Sequence, residues 1–210
     1  MNLKHIVISG NIGVGKTTLA QKLSNKYDWK ILLEEVDNNP YLEDFYKSMK
    51  SWSFHLQIFF LNSRFEQIKK ISKSNGIIIQ DRSIYEDYEV FTKNLYDSKI
   101  LLKREFENYK RLYKTILDYV KEPDLLIYIR NNNIKNIVNN IKKRDRGFEK
   151  TINTDYLKNL NNYYENWIKK YSKKNLLIID VTNKDFIKNS KELKNIYTVI
   201  ENKINELNKY

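Results

Sequence analysis

Residues 6–19 read Ile-Val-Ile-Ser-Gly-Asn-Ile-Gly-Val-Gly-Lys-Thr-Thr-Leu. A short apolar, β-branched run ends at Gly10; Gly15-Lys16-Thr17 come five residues later, and an apolar helical period follows at once. This is G-x-x-x-x-G-K-[ST] in its strand, loop and helix setting. Gly10, Gly13 and Gly15 let the backbone N–H groups of the loop turn inward. Those donors, with the positive end of a helix, attract phosphate oxygens. The cradle runs from Gly10 through Asn11, Ile12, Gly13, Val14, Gly15, Lys16 and Thr17 to Thr18. Lys16 adds a mobile charge for the β- and γ-phosphates, and Thr17 offers a hydroxyl to Mg²⁺. The stretch predicts a site for a nucleoside triphosphate.

Length and composition narrow the rest. With 210 residues, the expectation is one α/β domain over 1–210 with a proper core. No window of about eighteen apolar residues occurs, so no membrane-spanning helix is predicted. The chain enters a strand almost at once, which leaves no room for a signal peptide. It has no cysteine, which rules out disulfides, thiolate metal sites and cysteine nucleophiles. A cytoplasmic location is expected. The net charge is +12, but it is spread over faces such as Lys69-Lys70, Lys142-Lys143, Lys169-Lys170 and Lys173-Lys174. That scatter, in a chain rich in Lys, Asn, Ile and Tyr, argues against nucleic acid as the main partner.

Beyond the first strand and a helix over 16–26, apolar runs at 30–33, 77–79, 124–129 and 176–180 read as strands. Helices are expected over 41–49, 53–74, 84–94, 101–120, 134–143 and 154–171, and at the C-terminus. Continuous apolar strands alternating with helices predict a five-stranded parallel sheet covered on both faces, a three-layer phosphate-loop fold. Ligands then gather at the C-terminal ends of the strands.

The polar residues cluster at those ends. Glu34 closes the second strand, where a carboxylate can take the proton from an attacking hydroxyl. Asp81 and Arg82 close the third, suited to Mg²⁺ and to the charge on a transferring phosphoryl group. Arg144 and Arg146 flank a turn at Gly147 and suit a lid over phosphates, at about 142–150. Gln57 and Arg64 are seven apart, so both lie on one face of the long helix. Their donors and acceptors match the edge of a nucleobase. Asp87 and Phe91, four apart on the next helix, offer an acceptor and a ring.

Taken together, the chain resembles the deoxyribonucleoside kinases. The resemblance rests on Gly10-Asn-Ile-Gly-Val-Gly-Lys-Thr17, Glu34-Glu35-Val36, Asn39-Pro-Tyr-Leu42, Phe45-Tyr46 and Trp52-Ser-Phe-His-Leu-Gln57 with Arg64. It continues through Asp81-Arg-Ser-Ile-Tyr-Glu-Asp87 with Phe91 and Arg144-Asp-Arg-Gly-Phe-Glu149. It implies a kinase that uses ATP and Mg²⁺ to phosphorylate a deoxynucleoside 5′-hydroxyl, and it implies a homodimer. It makes Glu34 the general base, with Glu35 as the neighbouring register, and sets Arg82 beside the phosphate. Asp81 serves Mg²⁺, and Tyr46 and Glu149 bind the 3′-hydroxyl. Gln57, Arg64 and Asp87 read the base, Phe91 stacks on it, and Arg144 and Arg146 clamp the donor. Asn140 stands where the family often has a third lid arginine, with Lys142 or Lys143 as the substitute.

An Arg64–Asp87 pair favours bases with an exocyclic amine. The resemblance to the bacterial branch puts deoxyadenosine first, with deoxyguanosine and deoxycytidine also open. Two rivals remain on the sequence. A monophosphate kinase of thymidylate kinase type shares the loop and lid, but the acids at Glu34-Glu35-Val36-Asp37 would repel its acceptor's phosphate. A phosphate-loop ATPase that binds nucleic acid would hydrolyse ATP without a nucleoside.

Overall fold

The computed structural model of the chain describes residues 3–171 and 175–209. The Lys173-Lys174 pair lies outside the described residues. Five strands form one parallel sheet in the order β2-β3-β1-β4-β5: β1 (His5–Ser9), β2 (Lys30–Leu32), β3 (Ile78–Asp81), β4 (Leu125–Arg130) and β5 (Leu176–Asp180). In β1 and β3 every residue is buried, and in β4 all but the last. Successive side chains point to opposite faces, so both faces are covered. The two edge strands, β2 and β5, are more open.

The helices are α1 (Lys16–Tyr27), α2 (Leu42–Lys47), α3 (Met49–Ser72), α4 (Ile84–Glu86), α5 (Lys93–Asp97) and α6 (Lys103–Leu117). The series continues with α7 (Ile134–Arg144), α8 (Thr154–Lys170) and α9 (Ser190–Leu207). Two apolar clusters organise them. One surrounds the sheet and takes in α1, α7, α8 and α9. The other sits between α2, α3 and α6, around Phe45, Leu61, Leu95 and Tyr109.

One expectation changes. A single helix over 84–94 is instead α4, a π-helical turn at Asp87–Thr92, and α5. A π turn inserts a residue into the helical ladder and recurs at functional sites. Here it carries both Asp87 and Phe91.

Capping shows where the fold leaves donors over. Asn133, Asn153 and Asn189 cap α7, α8 and α9 with side-chain oxygens. No side chain caps α1, which begins after Gly15 at φ 97°. Its first N–H groups are therefore left for a ligand. The crowding around the loop explains its glycines. A Cβ on Gly13, at φ 79°, would lie 2.9 Å from the Ile137 carbonyl oxygen, and one on Gly15 would lie 2.8 Å from the Phe186 ring.

Candidate active site

The phosphate loop, the ends of β2 and β3, α2, α3, the π turn and the segment after α7 enclose one cavity of about 120 Å³. Members of both apolar clusters line it, Ile12 from one and Leu42, Phe45 and Leu56 from the other.

Glu34 is its charged centre. One of its oxygens, Oε1, lies 2.9 Å from Arg64 Nη2 and 2.9 Å from Arg82 Nε. Burial pushes its carboxyl up, but Arg82, Arg64 and Lys16 outweigh burial and hold it at about 2. Glu35 is exposed and lines nothing here. Of the neighbouring pair Glu34 and Glu35, it is Glu34 that reaches the cavity. Its position comes from where β2 stops, since Leu32 is the last strand residue and Glu34 lies two residues past the sheet.

Lys16 is buried, and its Nζ donates to the Asn11 carbonyl at 2.9 Å. Burial first, then the nearby Arg82, pulls its ammonium down to about 8 against the opposing pull of Asp81, Glu34 and Glu86. The cradle is a matter of backbone N–H groups, and the Asn11 side chain has a separate task. Its amide donates to the Leu157 carbonyl and to Asn161 Oδ1, so it bolts the loop to α8. Thr18 does not line the cavity; only its backbone N–H at the start of α1 is placed to serve the cradle.

Thr17 Oγ1 donates to Asp81 Oδ2 at 2.5 Å, while Asp81 Oδ1 is buried and has no hydrogen-bond partner. A hydroxyl beside a carboxylate with a spare buried oxygen is the donor set that Mg²⁺ takes, with waters and phosphates completing its shell.

Arg82 closes β3 in the left-handed region, at φ 76°. That conformation is uncommon for a side-chain-bearing residue and clusters at functional sites. The guanidinium lies 4.7 Å from the Phe91 ring centroid. Phe91 therefore supports Arg82 as well as lining the cavity.

At the far wall Asp87 is buried, with Oδ2 3.5 Å from Arg64 Nε. Burial pushes its carboxyl up to about 7, despite Arg64. Gln57 lines the cavity, and its Oε1 accepts from Thr92 Oγ1 at 3.1 Å. Arg64 departs from expectation. Its side chain is 0% exposed and does not line the cavity. It stands behind Glu34 and Asp87, although its Nε and Nη1 have no hydrogen-bond partner.

The lid residues are not aimed at the phosphate loop. Arg144 grips Glu149 through Nε at 3.1 Å and through Nη2 at 2.6 and 2.7 Å. Arg146 lies 3.7 Å from Glu149 and 3.9 Å from Asp37. All three line the cavity, as does Tyr46, whose ring stacks on Phe148 at 5.8 Å. Asn140, where a third lid arginine was expected, donates to the Gly13 carbonyl at 2.9 Å. Lys142 is exposed. Lys143 faces a second concavity beside the loop, which it shares with Val14, Asn136, Asn140 and Phe186.

Sequence reasoning missed Tyr156, which lines the cavity, and the buried pair Glu86 and Tyr164 behind Arg82. Glu86 lay inside a quoted motif. The two tyrosines sit on the apolar face of α8 and carry no motif of their own.

Comparison with known proteins agrees with this geometry. The family model described as deoxynucleoside kinase matches residues 6–205. The chain is 37% identical to a deoxyadenosine/deoxycytidine kinase of Bacillus subtilis over 203 residues, which is 96% of this chain and 93% of the relative. It is 36% identical to a deoxyadenosine kinase of Lactobacillus acidophilus over 213 residues, 96% and 97% of the two chains. The deoxyadenosine kinase structure from M. mycoides with bound dATP superposes with a TM-score of 0.82 at 29% identity, covering 93% of this chain and 98% of that one. The same enzyme's structure with products dCMP and a flexible dCDP gives 0.80 at 31% identity, covering 98% and 99%. Matched by that family model over residues 6–205 and by these relatives, a chain whose phosphate loop, Glu34 carboxylate and three guanidinium groups meet at one cavity belongs to the deoxynucleoside kinase family and is a kinase of deoxynucleosides.

Proposed function

We propose that this kinase moves the γ-phosphate of ATP to the 5′-hydroxyl of a deoxynucleoside, with Glu34 as base, deoxyadenosine as the first substrate and deoxycytidine as the second. The observation that carries the reading is the Glu34 carboxylate, held ionised by Arg82 and Arg64 in the cavity that also holds Lys16, Thr17 and Asp81. A hydroxyl reaching Glu34 gives up its proton there while its oxygen attacks the terminal phosphorus and ADP leaves. Arg82 stabilises the transferring group, and Lys16 exchanges the Asn11 carbonyl for a phosphate oxygen. Thr17 and Asp81 would hold Mg²⁺, which when bound draws charge from the phosphate oxygens. The donor's nucleoside extends into the concavity of Asn136, Asn140 and Phe186.

Tyr46 and Glu149 take the 3′-hydroxyl, and Arg144 and Arg146, on the lid, turn to the donor. Gln57 and Asp87 meet the base edge, with Arg64 supporting Asp87 from behind. Asp87, poised near 7 by burial, serves an exocyclic amine as an acceptor. The pairing with deoxyadenosine and deoxycytidine follows that chemistry and the relative in Bacillus subtilis. The protein works in the cytoplasm, where ATP and nucleotides are held. It acts as a homodimer through α3 and α6, the latter leaving Leu112 exposed.

Incubation with ATP, Mg²⁺ and each natural deoxynucleoside tests the reading. Turnover is expected to be fastest with deoxyadenosine. Turnover of dTMP without turnover of any nucleoside would overturn it.

A further inference from the structure

Behind Arg82 runs a buried relay that the reaction as described does not use. Arg82 Nη1 donates to the Tyr164 hydroxyl at 2.8 Å, and that hydroxyl donates to Glu86 Oε2 at 2.6 Å. The same oxygen accepts from Ser9 Oγ at 2.6 Å, and Glu86 Oε1 accepts the Ser83 N–H at 2.6 Å. Tyr164 and Glu86 are both fully buried, and neither lines the cavity. Glu86 Oε2 stands 3.8 Å from Arg82 Nη1, too far for a direct hydrogen bond, so the tyrosine hydroxyl is the link.

The polarity of the relay is forced. A guanidinium only donates and a carboxylate only accepts, so the hydroxyl between them takes one bond and gives the other. Its far end is anchored at two places that matter to the reaction. Ser9 is the last residue of β1, immediately before Gly10 of the phosphate loop, and Ser83 follows Arg82. At the near end, Arg82 Nε is drawn to Glu34 at 2.9 Å. Glu34 and Tyr164 thus hold opposite edges of one guanidinium, while Phe91 supports its face. The Arg82 N–H is spent on the Ile8 carbonyl, and the other acceptor of Nη1, the Gly10 carbonyl, lies at 3.4 Å, a longer and weaker bond than the 2.8 Å one to Tyr164. If the Tyr164 tether were cut, the guanidinium would be free to pivot about its Glu34 contact.

We infer that Tyr164, anchored by Glu86, is a positioning residue that fixes the Nη1 corner of the Arg82 guanidinium while Glu34 holds its Nε edge, and so keeps Arg82 in line with the transferring phosphoryl group. This rests on the role proposed for Arg82. The competing view makes the hydroxyl a satisfied core group with no bearing on rate.

Tyr164→Phe removes one hydroxyl and keeps the ring. The expected result is a fall in kcat of about tenfold to a hundredfold, the scale of a misplaced reacting group, with KM for the nucleoside within about twofold. Tyr128→Phe is the control. That ring stacks on Tyr164 at 5.7 Å, and its hydroxyl binds Glu165 at 3.0 Å, away from the cavity. It is expected to lower Tm comparably and leave kcat unchanged. In an Arg82→Ala background, adding Tyr164→Phe should change residual turnover by less than about twofold, because the residue it positions is gone. An unchanged kcat in Tyr164→Phe, or a loss shared equally by Tyr128→Phe, would overturn the inference. If Arg82→Ala itself keeps wild-type turnover, the role of Arg82 falls first, and that result is distinct from the other two.

Discussion

The cavity has two sides that hold charge differently. On the sheet side, Glu34, Asp81 and Arg82 sit at strand ends, and Arg64 stands behind them on α3; each is braced by buried partners. On the lid side, Arg144, Arg146 and Glu149 lie at the end of α7 and on the 3₁₀ turn Gly147–Thr151, where the two arginines are about a third exposed. The sheet side keeps its geometry without a ligand, because moving any buried charge strands its partner. The lid side satisfies itself. Its arginines, a third exposed, pair with the buried carboxylate proposed for the sugar, so they have room to turn toward a phosphate only when another donor takes their place at Glu149. On the proposed reading, catalysis is built into the rigid wall and recognition of the donor phosphates into the lid side.

The largest break in that contrast comes from Glu34→Gln. It should lower kcat about a hundredfold or more, the scale of a lost general base, while nucleoside affinity measured by calorimetry changes little. Glu35→Gln should stay near wild type. The reverse pattern would move the base by one residue.

Changes on the lid side should be smaller and should separate the substrates. Arg144→Ala is expected to raise KM for ATP about tenfold, roughly the value of one charge-assisted pair to a phosphate, with KM for the nucleoside nearly unchanged. Glu149→Gln should do the opposite, raising nucleoside KM while leaving ATP unaffected or bound more tightly, because its two arginines are released. Parallel rises in both constants from either variant would show the lid to be as rigid as the wall.

Asp87→Ala with Arg64→Met sharpens the base-reading side. Because Arg64 also braces Glu34, rates should fall for every nucleoside. The informative quantity is the ratio of kcat/KM between pyrimidine and purine substrates, expected to rise about tenfold. An unchanged ratio would remove both residues from base selection.

The smallest effect is on stability with pH. Glu34 is held at about 2, below its ordinary 4.5. Its contribution is full above that ordinary value and is lost only as pH falls toward 2. Asp87 is raised from 3.8 to about 7. Ionising it in place costs stability progressively as pH rises through that window. Tm should therefore decline between about pH 4 and pH 7, and Asp87→Asn should flatten that decline. A Tm profile identical to wild type would show that Asp87 is already ionised across this range.

Most of the sheet was legible, because short β-branched runs such as those in Ile78–Asp81 and Leu125–Arg130, bounded by turn residues, suit strands buried on both faces. The phosphate loop was legible because its spacing is dictated by one ligand. The π turn was not, since a one-residue bulge leaves the apolar period of 84–97 almost unchanged. The bracing task of the Asn11 side chain was not legible, because nothing local reveals that α8, some 150 residues on, supplies Leu157 and Asn161 as its partners.

The amino-acid sequence by itself determined the phosphate loop, the alternation of strands and helices, and the acids and arginines at the strand ends, since spacing and hydrophobic period act over a few residues. Only the tertiary structure decided which side chains reach the cavity. It set Arg64 behind the wall, turned Arg144 onto Glu149 and joined Arg82 to Tyr164 and Glu86. Such pairings join residues remote in sequence, and they exist because a buried charge must find a partner wherever packing brings one within reach.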